Sequence, residues 1–357
     1  MKKICVLFGG QSAEHDISII TGMQLANKIR DRKDIEIIYL GLDNCFYLAT
    51  KIKNLDEFLD KKTLKLKKVT FFNGGICRIG KIVKKICEVE CVINCCHGGA
   101  GENGDLAGFF ELNRIRYTSA QTLPSAIAMN KSCAKMLVSG LARTLEGVNV
   151  TQDNYTDMVQ YIDENMSNEL IVKPNSLGSS IGVKVCDKSN YREQINAIFL
   201  MNDSALVERR VVNLVEYNQA CIKTKEGLIL SAIESPTLKS QILSFDDKYK
   251  GAKGKGKDRE IPAKIGRELE EKINNMTRKI YQSLGMNGVV RIDYIYDKDT
   301  GEIYFNEINT IPGSMAFYLF EPVGVDYISL VEMLIDNAEE TKRFKYYDTN
   351  VLDGKKV

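Results

Sequence analysis

Four polar residues near the C-terminus have the spacing expected of a cation-binding face on a sheet. Arg291 and Asp293 lie two residues apart in VVRIDYIY, and Glu307 and Asn309 lie two apart in EIYFNEINT. Because alternate side chains of a strand share a face, pairing of the two strands would gather two carboxylates, an amide and a guanidinium. These oxygens suit Mg²⁺ with substrate phosphates, and the guanidinium suits a transferring phosphoryl group. A solvated face with salt bridges is the competing interpretation.

A turn rich in glycine and serine supplies candidate phosphate ligands. The segment KPNSLGSSIG, residues 173–182, joins two stretches with strand patterns. Its backbone N–H groups and hydroxyls can surround an anion, and Lys173 adds a positive charge. The glycine–lysine order of a P-loop is absent. A plain hairpin without a ligand is the alternative.

A second cationic segment, KYKGAKGKGKDR at residues 248–259, combines five lysines, one arginine and three glycines. Glycines favour mobility and the cations favour polyphosphate, so the segment is predicted to be a lid that closes over a polyphosphate. Tyr249 is an aromatic residue that requires a partner there. A solvated lysine-rich loop would have the same composition.

The N-terminal segment FGGQSAEHDIS follows a short apolar stretch. Gly9 and Gly10 permit close backbone approach, and the helix that follows presents free N–H groups to an anion. Glu14 is positioned to bind a substrate ammonium. In the alternative, Ser12 caps the helix and Glu14 interacts with the helix dipole.

The segment CCHGGAGENGD, residues 95–105, fits a metal site, a phosphate loop or the end of a buried strand. Cys91, Ile93 and Cys95 alternate along an apolar stretch, which favours a strand with cysteines in the core. The ten cysteines include no CxxC pair, and the N-terminal apolar run is too short for a signal peptide. Disulfides are therefore not expected.

Composition excludes several classes of protein. The chain has 357 residues, 44% of them hydrophobic, and a formal net charge of +2. The length predicts two or three domains, and the charge balance argues against a nucleic-acid or membrane-surface partner. No apolar run approaches the roughly 18 residues of a spanning helix. We expect a cytoplasmic protein.

Hydrophobic periodicity predicts the elements that position these residues. KKICVLFGG, DISIITGMQLANKIR and DIEIIYLGL form a strand, a helix and a strand, which predicts a parallel sheet with ligands at its carboxyl edge. Helices are expected over 122–143, 265–284 and 327–338. Strands are expected on both sides of the 173–182 turn, over 214–234, and in the two segments that carry the cation-binding face.

Taken together, seven segments in order resemble the D-alanine–D-alanine ligases of the ATP-grasp superfamily. They are LFGGQSAEHDIS, CCHGGAGENGDLAGFFEL, AIAMNKSCAKML, KPNSLGSSIGV, DDKY with IPA, RIDYIY and NEINTIPG. The resemblance implies an α/β protein with α+β subdomains, an ATP-grasp fold preceded by an N-terminal open parallel-sheet domain. The implied domains are 1–119, 120–208 and 209–357, with a mobile loop at 246–259.

The resemblance also implies roles for individual residues. ATP is the cosubstrate, and two Mg²⁺ ions, with Mn²⁺ as a substitute, would be held by Asp293, Glu307 and Asn309. Contacts to ATP would come from Lys131, Lys173, Ser179, Ser180, Glu208, Val211, Glu216 and Lys248. Catalytic roles would fall to Glu14, Ser179, Tyr249, Arg291 and the backbone of Gly313. Substrate contacts would come from Glu14, His97, Arg291, Gly313 and Tyr318.

By this resemblance the protein would join two D-amino acids through an acylphosphate, for peptidoglycan precursors, and would form a homodimer. Tyr318 stands about where the family has a serine that meets the second substrate's carboxylate. The lid also departs from the family spacing. A D-alanine–D-serine ligase is therefore the alternative, and a non-catalytic ATP-binding regulator is a more distant one.

Overall fold

The computed structural model of the chain describes residues 2–59, 65–236 and 259–340. Helices in these ranges, numbered in chain order, are α1 His15–Ile29, α2 Asp56–Leu59, α3 Asp105–Leu112, α4 Thr122–Met129, α5 Lys131–Val138, α6 Tyr155–Asn165, α7 Tyr191–Phe199, α8 Arg267–Ser283, α9 Phe317–Phe320 and α10 Tyr327–Glu340. Short 3₁₀ turns occupy Gly99–Gly101, Gly313–Ala316 and Glu321–Val323. In the described ranges no helix is both long enough and apolar enough to cross a membrane.

The first sheet contains the predicted strand–helix–strand unit. Its strands are β1 Lys2–Gly9, β2 Ile35–Leu40, β3 Phe46–Leu48, β4 Lys67–Phe72, β5 Gly75–Arg78 and β6 Lys84–Asn94. β1 is parallel to β2 and to β6, as expected. The remaining pairs are antiparallel, and β6 also pairs with β5, so the sheet closes on itself. The expectation of an open parallel sheet was therefore wrong, although the α/β class is confirmed.

Helix α1 lies close to β1 because a glycine faces the sheet. A Cβ at Gly22 would stand 2.1 Å from a ring atom of Phe8, far inside normal contact distance. The small residue thus allows the helix to settle on the strand. This contact places the start of α1, with Glu14 just before it, at the carboxyl end of β1.

Two further sheets are antiparallel throughout. The second has the order β7-β10-β8-β9, formed by β7 Gly147–Thr151, β8 Glu169–Pro174, β9 Lys184–Asp187 and β10 Ser204–Arg209. The third has the order β13-β12-β11-β14-β15, formed by β11 Leu214–Thr224, β12 Gly227–Pro236, β13 Arg259–Glu260, β14 Val289–Asp297 and β15 Glu302–Asn309. The 173–182 turn connects β8 to β9, as its sequence predicted.

The register of β14 and β15 creates the predicted polar face. Arg291 is opposite Asn309, and Asp293 is opposite Glu307. The other face is core, where Ile292 and Tyr294 are fully buried. Strand alternation therefore sorted the polar and apolar residues of these strands as expected.

The hydrophobic cores do not follow the expected domain boundaries in one place. The predicted helix over 122–143 is divided at Asn130, whose side chain caps α5 by accepting the N–H of Cys133 at 2.9 Å. Helices α4 and α5 pack in one cluster with the third sheet, whereas the core of the second sheet is built from α6 and α7. We propose that α4 and α5 belong with the C-terminal unit rather than with 120–208.

The cysteines are core residues in the first sheet. Cys91, Cys95 and Cys96 are all buried, and none of the ten cysteines, which all lie in the described ranges, forms a disulfide. Burial raises the pKa of the Cys96 thiol well above its ordinary value. Because a neutral thiol is a poor metal ligand, these residues pack as small apolar side chains.

Candidate active site

The polar face of β14 and β15 is closely connected. The guanidinium of Arg291 donates two hydrogen bonds to Asp293, from Nε to Oδ1 and from Nη2 to Oδ2, each 2.7 Å. Asn309 Nδ2 also donates to Asp293 Oδ2 at 3.0 Å. Burial disfavours the charged guanidinium, but the Asp293 carboxylate outweighs burial and raises the pKa of Arg291 well above its usual range.

The donors on this face fit a hard divalent cation that also binds phosphate. In the described part of the chain, no three His, Cys, Asp or Glu side chains converge on one point. The available donors are the carboxylates of Asp293 and Glu307 and the amide of Asn309. Mg²⁺ is commonly held by one or two carboxylates, with substrate phosphates and water completing its shell. Asn309 must present its amide oxygen, rather than its NH₂, to serve such an ion.

A buried ion cluster lies between the second and third sheets. Glu208, with no exposed surface, accepts contacts from Lys135 at 2.6 Å and from Lys173 at 2.5 Å. Burial would raise the pKa of Glu208, but the two lysines hold it below its ordinary value. Burial lowers the pKa of Lys135 to about 8, against the opposing effect of Glu208. Lys173 also donates to Asn306 Oδ1 at 3.2 Å.

A cavity above this cluster collects many of the predicted ATP contacts. Its apolar walls include Ile171, Val185 and Leu214. The predicted residues among its lining are Lys131, Lys173, Ser180, Glu208, Val211, Glu216, Asp293 and Glu307. Apolar walls at one end and lysines with carboxylates at the other suit a base and a polyphosphate.

A second, smaller cavity adjoins the first and reaches the N-terminal segment. It is lined by Glu14, Glu102, Gly178 and Asn309, and it shares Lys131, Leu177 and Glu307 with the larger cavity. Lys131, the first residue of α5, donates to the carbonyl of Leu177 at 2.6 Å and lies 3.5 Å from Glu307 Oε2. The expected phosphate end and the expected substrate end are therefore contiguous.

The turn between β8 and β9 contacts the N-terminal segment directly. The hydroxyl of Ser179 donates to the Glu14 carboxylate, and the backbone of Ser179 and Ser180 is left-handed, with φ of 54° and 58°. Serines at such φ values are strained, and strain of this kind concentrates at functional sites. Tyr249 and Lys248, the expected partners in the lid, lie outside the described residues.

Comparison with known proteins agrees with this geometry. The model of the D-ala D-ala ligase N-terminus matches residues 3–120, and that of the D-ala D-ala ligase C-terminus matches residues 144–336. The chain belongs to the D-alanine–D-alanine ligase family. This is a family of ATP-dependent ligases, so the ATP-grasp fold and the enzyme class expected from the sequence are confirmed.

The similarity extends over nearly the whole chain. The D-alanine–D-alanine ligase of Thermosipho melanesiensis is 31% identical over 364 residues, covering 99% of this chain and 98% of the relative. The solved D-alanine–D-alanine ligase of Helicobacter pylori is 30% identical with a TM-score of 0.78, covering 94% and 98%. A solved D-Ala:D-Ser ligase of Enterococcus faecalis is 29% identical with a TM-score of 0.79, covering 94% and 99%.

His97 is held by protein groups on both ring nitrogens in this member of the ligase family. Nδ1 lies 2.7 Å from the carbonyl of Ile311, and Nε2 lies 3.0 Å from Thr21 Oγ1. Burial lowers the pKa of His97, which favours the neutral ring. The segment CCHGGAG is therefore a strand end followed by a turn, with His97 linking it to the segment after β15.

Glu102 is a second link between these segments, and the sequence did not single it out as a site residue. Its carboxylate accepts the N–H of Gly98 at 2.9 Å, the N–H of Ile311 at 2.8 Å and the hydroxyl of Thr310 at 3.4 Å. Burial, with the nearby Glu14 charge, raises the pKa of Glu102 to about 7. The sequence feature that could have identified Glu102 as a site residue is its position in a glycine-rich turn.

Lys135 was also missed, although it follows Lys131 by four residues and so lies on the same helix face. Its partner Glu208, which the family resemblance places with Glu216 at the adenine and ribose, contacts Lys135 and Lys173 and also lines the larger cavity. Gly313, expected to stabilise the oxyanion, begins a left-handed turn in which Ser314, Met315 and Ala316 all have positive φ. The Ser314 N–H contacts Thr21 Oγ1 at 3.3 Å.

The Glu208 cluster leads to a stability prediction. Glu208→Gln leaves two buried lysines without their counter-charge, and breaking a buried ion pair typically costs about 3–5 kcal/mol. Glu271→Gln is the control, since Glu271 forms an exposed pair with Arg267 at 2.8 Å, for which about 0.2–1 kcal/mol is usual. Denaturant unfolding measures both. Equal losses in the two variants would contradict the assigned role of Glu208.

Proposed function

We propose that this protein uses ATP to join two D-amino acids, foremost D-alanine to D-alanine, for peptidoglycan precursors. The observation that carries the proposal is the continuity of two cavities through Lys131 and Glu307. A nucleotide in the larger cavity would thereby direct its terminal phosphate towards a substrate in the smaller one. We assign the reaction to the cytoplasm, where ATP is supplied, and a homodimer stays a prediction from the family resemblance.

ATP binding follows from the larger cavity. The adenine and ribose fit between the apolar walls, next to the backbone of Val211 in the hinge. Glu208 and Glu216 contact the adenine and ribose, as the family resemblance implies. Lys131, Lys173 and Ser180 hold the phosphates, and the family resemblance assigns the transferred phosphoryl group to Lys248, which lies outside the described residues. Glu208 and Lys135 keep Lys173 in position. Such placement accounts for most of the catalysis in phosphoryl transfer.

The carboxylate–amide face holds divalent cations in this proposal. Mg²⁺, or Mn²⁺ in its place, bound as two ions by Asp293, Glu307 and Asn309, would neutralise phosphate charge. The chain's own contribution is a face on which Asp293 is already positioned by hydrogen bonds from Arg291 and Asn309. Lys131, next to Glu307, adds positive charge at the same end of the cavity.

The reaction has two chemical steps. A carboxylate oxygen of the first D-amino acid attacks the terminal phosphorus of ATP, so ADP leaves and an acylphosphate forms. The amine nitrogen of the second D-amino acid then attacks the acyl carbon, and inorganic phosphate leaves as the peptide bond forms. Attack by the nitrogen gives a tetrahedral oxyanion, which exists until inorganic phosphate departs. Arg291 and the backbone N–H of Gly313 stabilise this oxyanion. Glu14 binds the first ammonium, and Ser179 contacts Glu14. The family resemblance adds Tyr249, which lies outside the described residues, to this hydrogen-bonded set.

D-Serine as the second substrate is the other candidate. The observation in its favour is Tyr318, where the family commonly has a serine. The solved D-Ala:D-Ser ligase is as similar in fold as the solved D-Ala-D-Ala ligase, so fold likeness does not separate the two activities.

A substrate screen tests the proposal. D-Alanine is supplied with ATP and Mg²⁺, and D-serine or D-lactate is added in separate reactions, with L-alanine alone as the control. We expect ADP release with D-alanine and a D-alanyl-D-alanine product identified by mass spectrometry. A larger kcat/KM for the mixed product with D-serine would establish the alternative. Absence of ADP release with every D-amino acid would favour a non-catalytic ATP-binding regulator.

A further inference from the structure

We propose that Arg259, held in place by Glu234 and Tyr318, binds the carboxylate of the second amino acid. This inference rests on the proposed ligase function and adds a specificity-determining residue to it. By the family resemblance, Tyr318 stands about where the family has the serine that meets this carboxylate. The structure provides a guanidinium beside that tyrosine, and a guanidinium is the side chain best shaped for a carboxylate.

Glu234 anchors the cluster from the core of the third sheet. It lies on β12 and only 3% of its surface is exposed. One carboxylate oxygen, Oε1, accepts Asn218 Nδ2 at 3.0 Å and the hydroxyl of Tyr318 at 3.3 Å. The other, Oε2, faces Arg259 Nη1 at 3.6 Å. A buried carboxylate of this kind requires a cation nearby, which explains the position of Arg259.

Arg259 is fixed from a second direction by an aromatic ring. Its guanidinium carbon lies 4.6 Å from the centre of the Tyr318 ring, within range of a cation–π contact. Its backbone is in the short strand β13, opposite Pro236 of β12. The side chain is nevertheless about half exposed, at 48%. The group is thus oriented by the protein while part of its N–H fork still faces outward.

The cluster adjoins the place where the peptide bond would form. Glu234 of β12 is opposite Asn218 of β11, and Asn218 is opposite Asp293 of β14, so the cluster shares the sheet face of Arg291, the residue assigned to the oxyanion. In an α-amino acid the attacking nitrogen and the carboxylate are attached to the same carbon. A second substrate that attacks beside Arg291 must therefore place its carboxylate within a few ångströms of its nitrogen, and the exposed part of the Arg259 fork is the cation that we assign to it.

The hydroxyl of Tyr318 does not take over the role of the family serine. It already donates to Glu234, and burial, followed by the Glu234 charge, raises the pKa of this phenol. Tyr318 is therefore a positioning residue for Arg259, and its ring is the part that acts.

The test compares two acceptors, D-alanine and D-alaninamide, which differ only in the carboxylate. The protein is expected to prefer D-alanine strongly. Arg259→Leu should raise the KM for the D-alanine acceptor by about 10- to 100-fold, the usual range for a lost charge-assisted contact, and should leave D-alaninamide nearly unchanged. Arg259→Lys should fall between, because it keeps the charge but loses the planar fork.

Two controls separate this inference from the function on which it rests. Hydroxylamine traps an acylphosphate as a hydroxamate without a second amino acid, so hydroxamate formation should persist in every Arg259 variant. Arg267→Leu removes an exposed arginine that pairs with Glu271 on α8, and it should alter neither acceptor.

The outcomes are distinct. If Arg259→Leu lowers thermal stability but keeps the parent preference for D-alanine over D-alaninamide, Arg259 is only a structural partner of Glu234 and the inference is wrong. A parent protein that fails to discriminate between the acceptors overturns it as well. A parent protein that forms no hydroxamate overturns the proposed function itself.

Discussion

Glu307→Gln is expected to lower turnover roughly a thousandfold or more while the protein remains folded. A cation clamp on transferring phosphate supplies several kcal/mol, and each 1.36 kcal/mol corresponds to a factor of ten in rate. Glu307 lies opposite Asp293 and lines both cavities, so the amide would remove a carboxylate where the cations are proposed to bind. The measurement is kcat at saturating ATP across a Mg²⁺ titration, with circular dichroism to establish folding.

The same substitution should affect nucleotide binding much less. Glu307 Oε2 lies 3.5 Å from Lys131 Nζ, so loss of its charge leaves this phosphate lysine more available. Metal-free ATP affinity is therefore expected to hold or to rise. Glu302→Gln is the matched control, because Glu302 is at the other end of β15 and pairs with Arg143 and Lys272 at the surface. Near-normal kcat for Glu307→Gln at saturating Mg²⁺ would disprove the metal assignment.

Arg291→Met is expected to reduce kcat by about 10²–10³, the cost of removing one donor from an oxyanion site. Arg291→Lys keeps the charge but loses the planar fork, and it should still lose much of the rate. ATP affinity should fall far less than kcat, because the contact is proposed to form in the transition state.

Arg291→Met is also expected to lower stability, because it removes the two hydrogen bonds from Arg291 to Asp293. Both side chains are largely buried, and truncation of one partner of such a pair costs about 3–5 kcal/mol of stability. This is a large share of the free energy of unfolding of a typical protein, about 5–15 kcal/mol. Rates must therefore be expressed per folded molecule, with the unfolding free energy measured on the same preparation. Arg192→Met, which breaks an exposed pair with Asp163, is the control. A variant that is less stable but equally fast per folded molecule would assign Arg291 a purely structural role.

Local rules predicted the strands of the site well. Side chains alternate along any strand, so the spacing of Arg291, Asp293, Glu307 and Asn309 was enough to place them on one face. Glycines and serines between two strand patterns were enough to place the turn with Ser179. These features depend on neighbours within a few residues, which the amino-acid order shows directly.

Contacts between segments that are distant in the chain were harder to predict from the sequence. The first sheet closes because β6 pairs with both β1 and β5, and its short middle strands carry no strong pattern. Helices α4 and α5 precede the second sheet in the chain, yet their apolar faces pack on the third. The sequence therefore assigned these helices to 120–208, whereas we propose the C-terminal unit because of the surface that they cover.

The sequence by itself determined the ligase family, the ATP-grasp fold and the types of side chain at the site, because these follow from motifs and local periodicity. Only the tertiary structure decided which charges meet. Glu208 lies between Lys135 and Lys173, Glu102 joins two loops, and Arg259 stacks on Tyr318 beside Glu234. Each of these contacts joins separate segments of the chain. A buried charge must find an opposite charge or a hydrogen-bond donor, and which one it finds depends on how the sheets pack together.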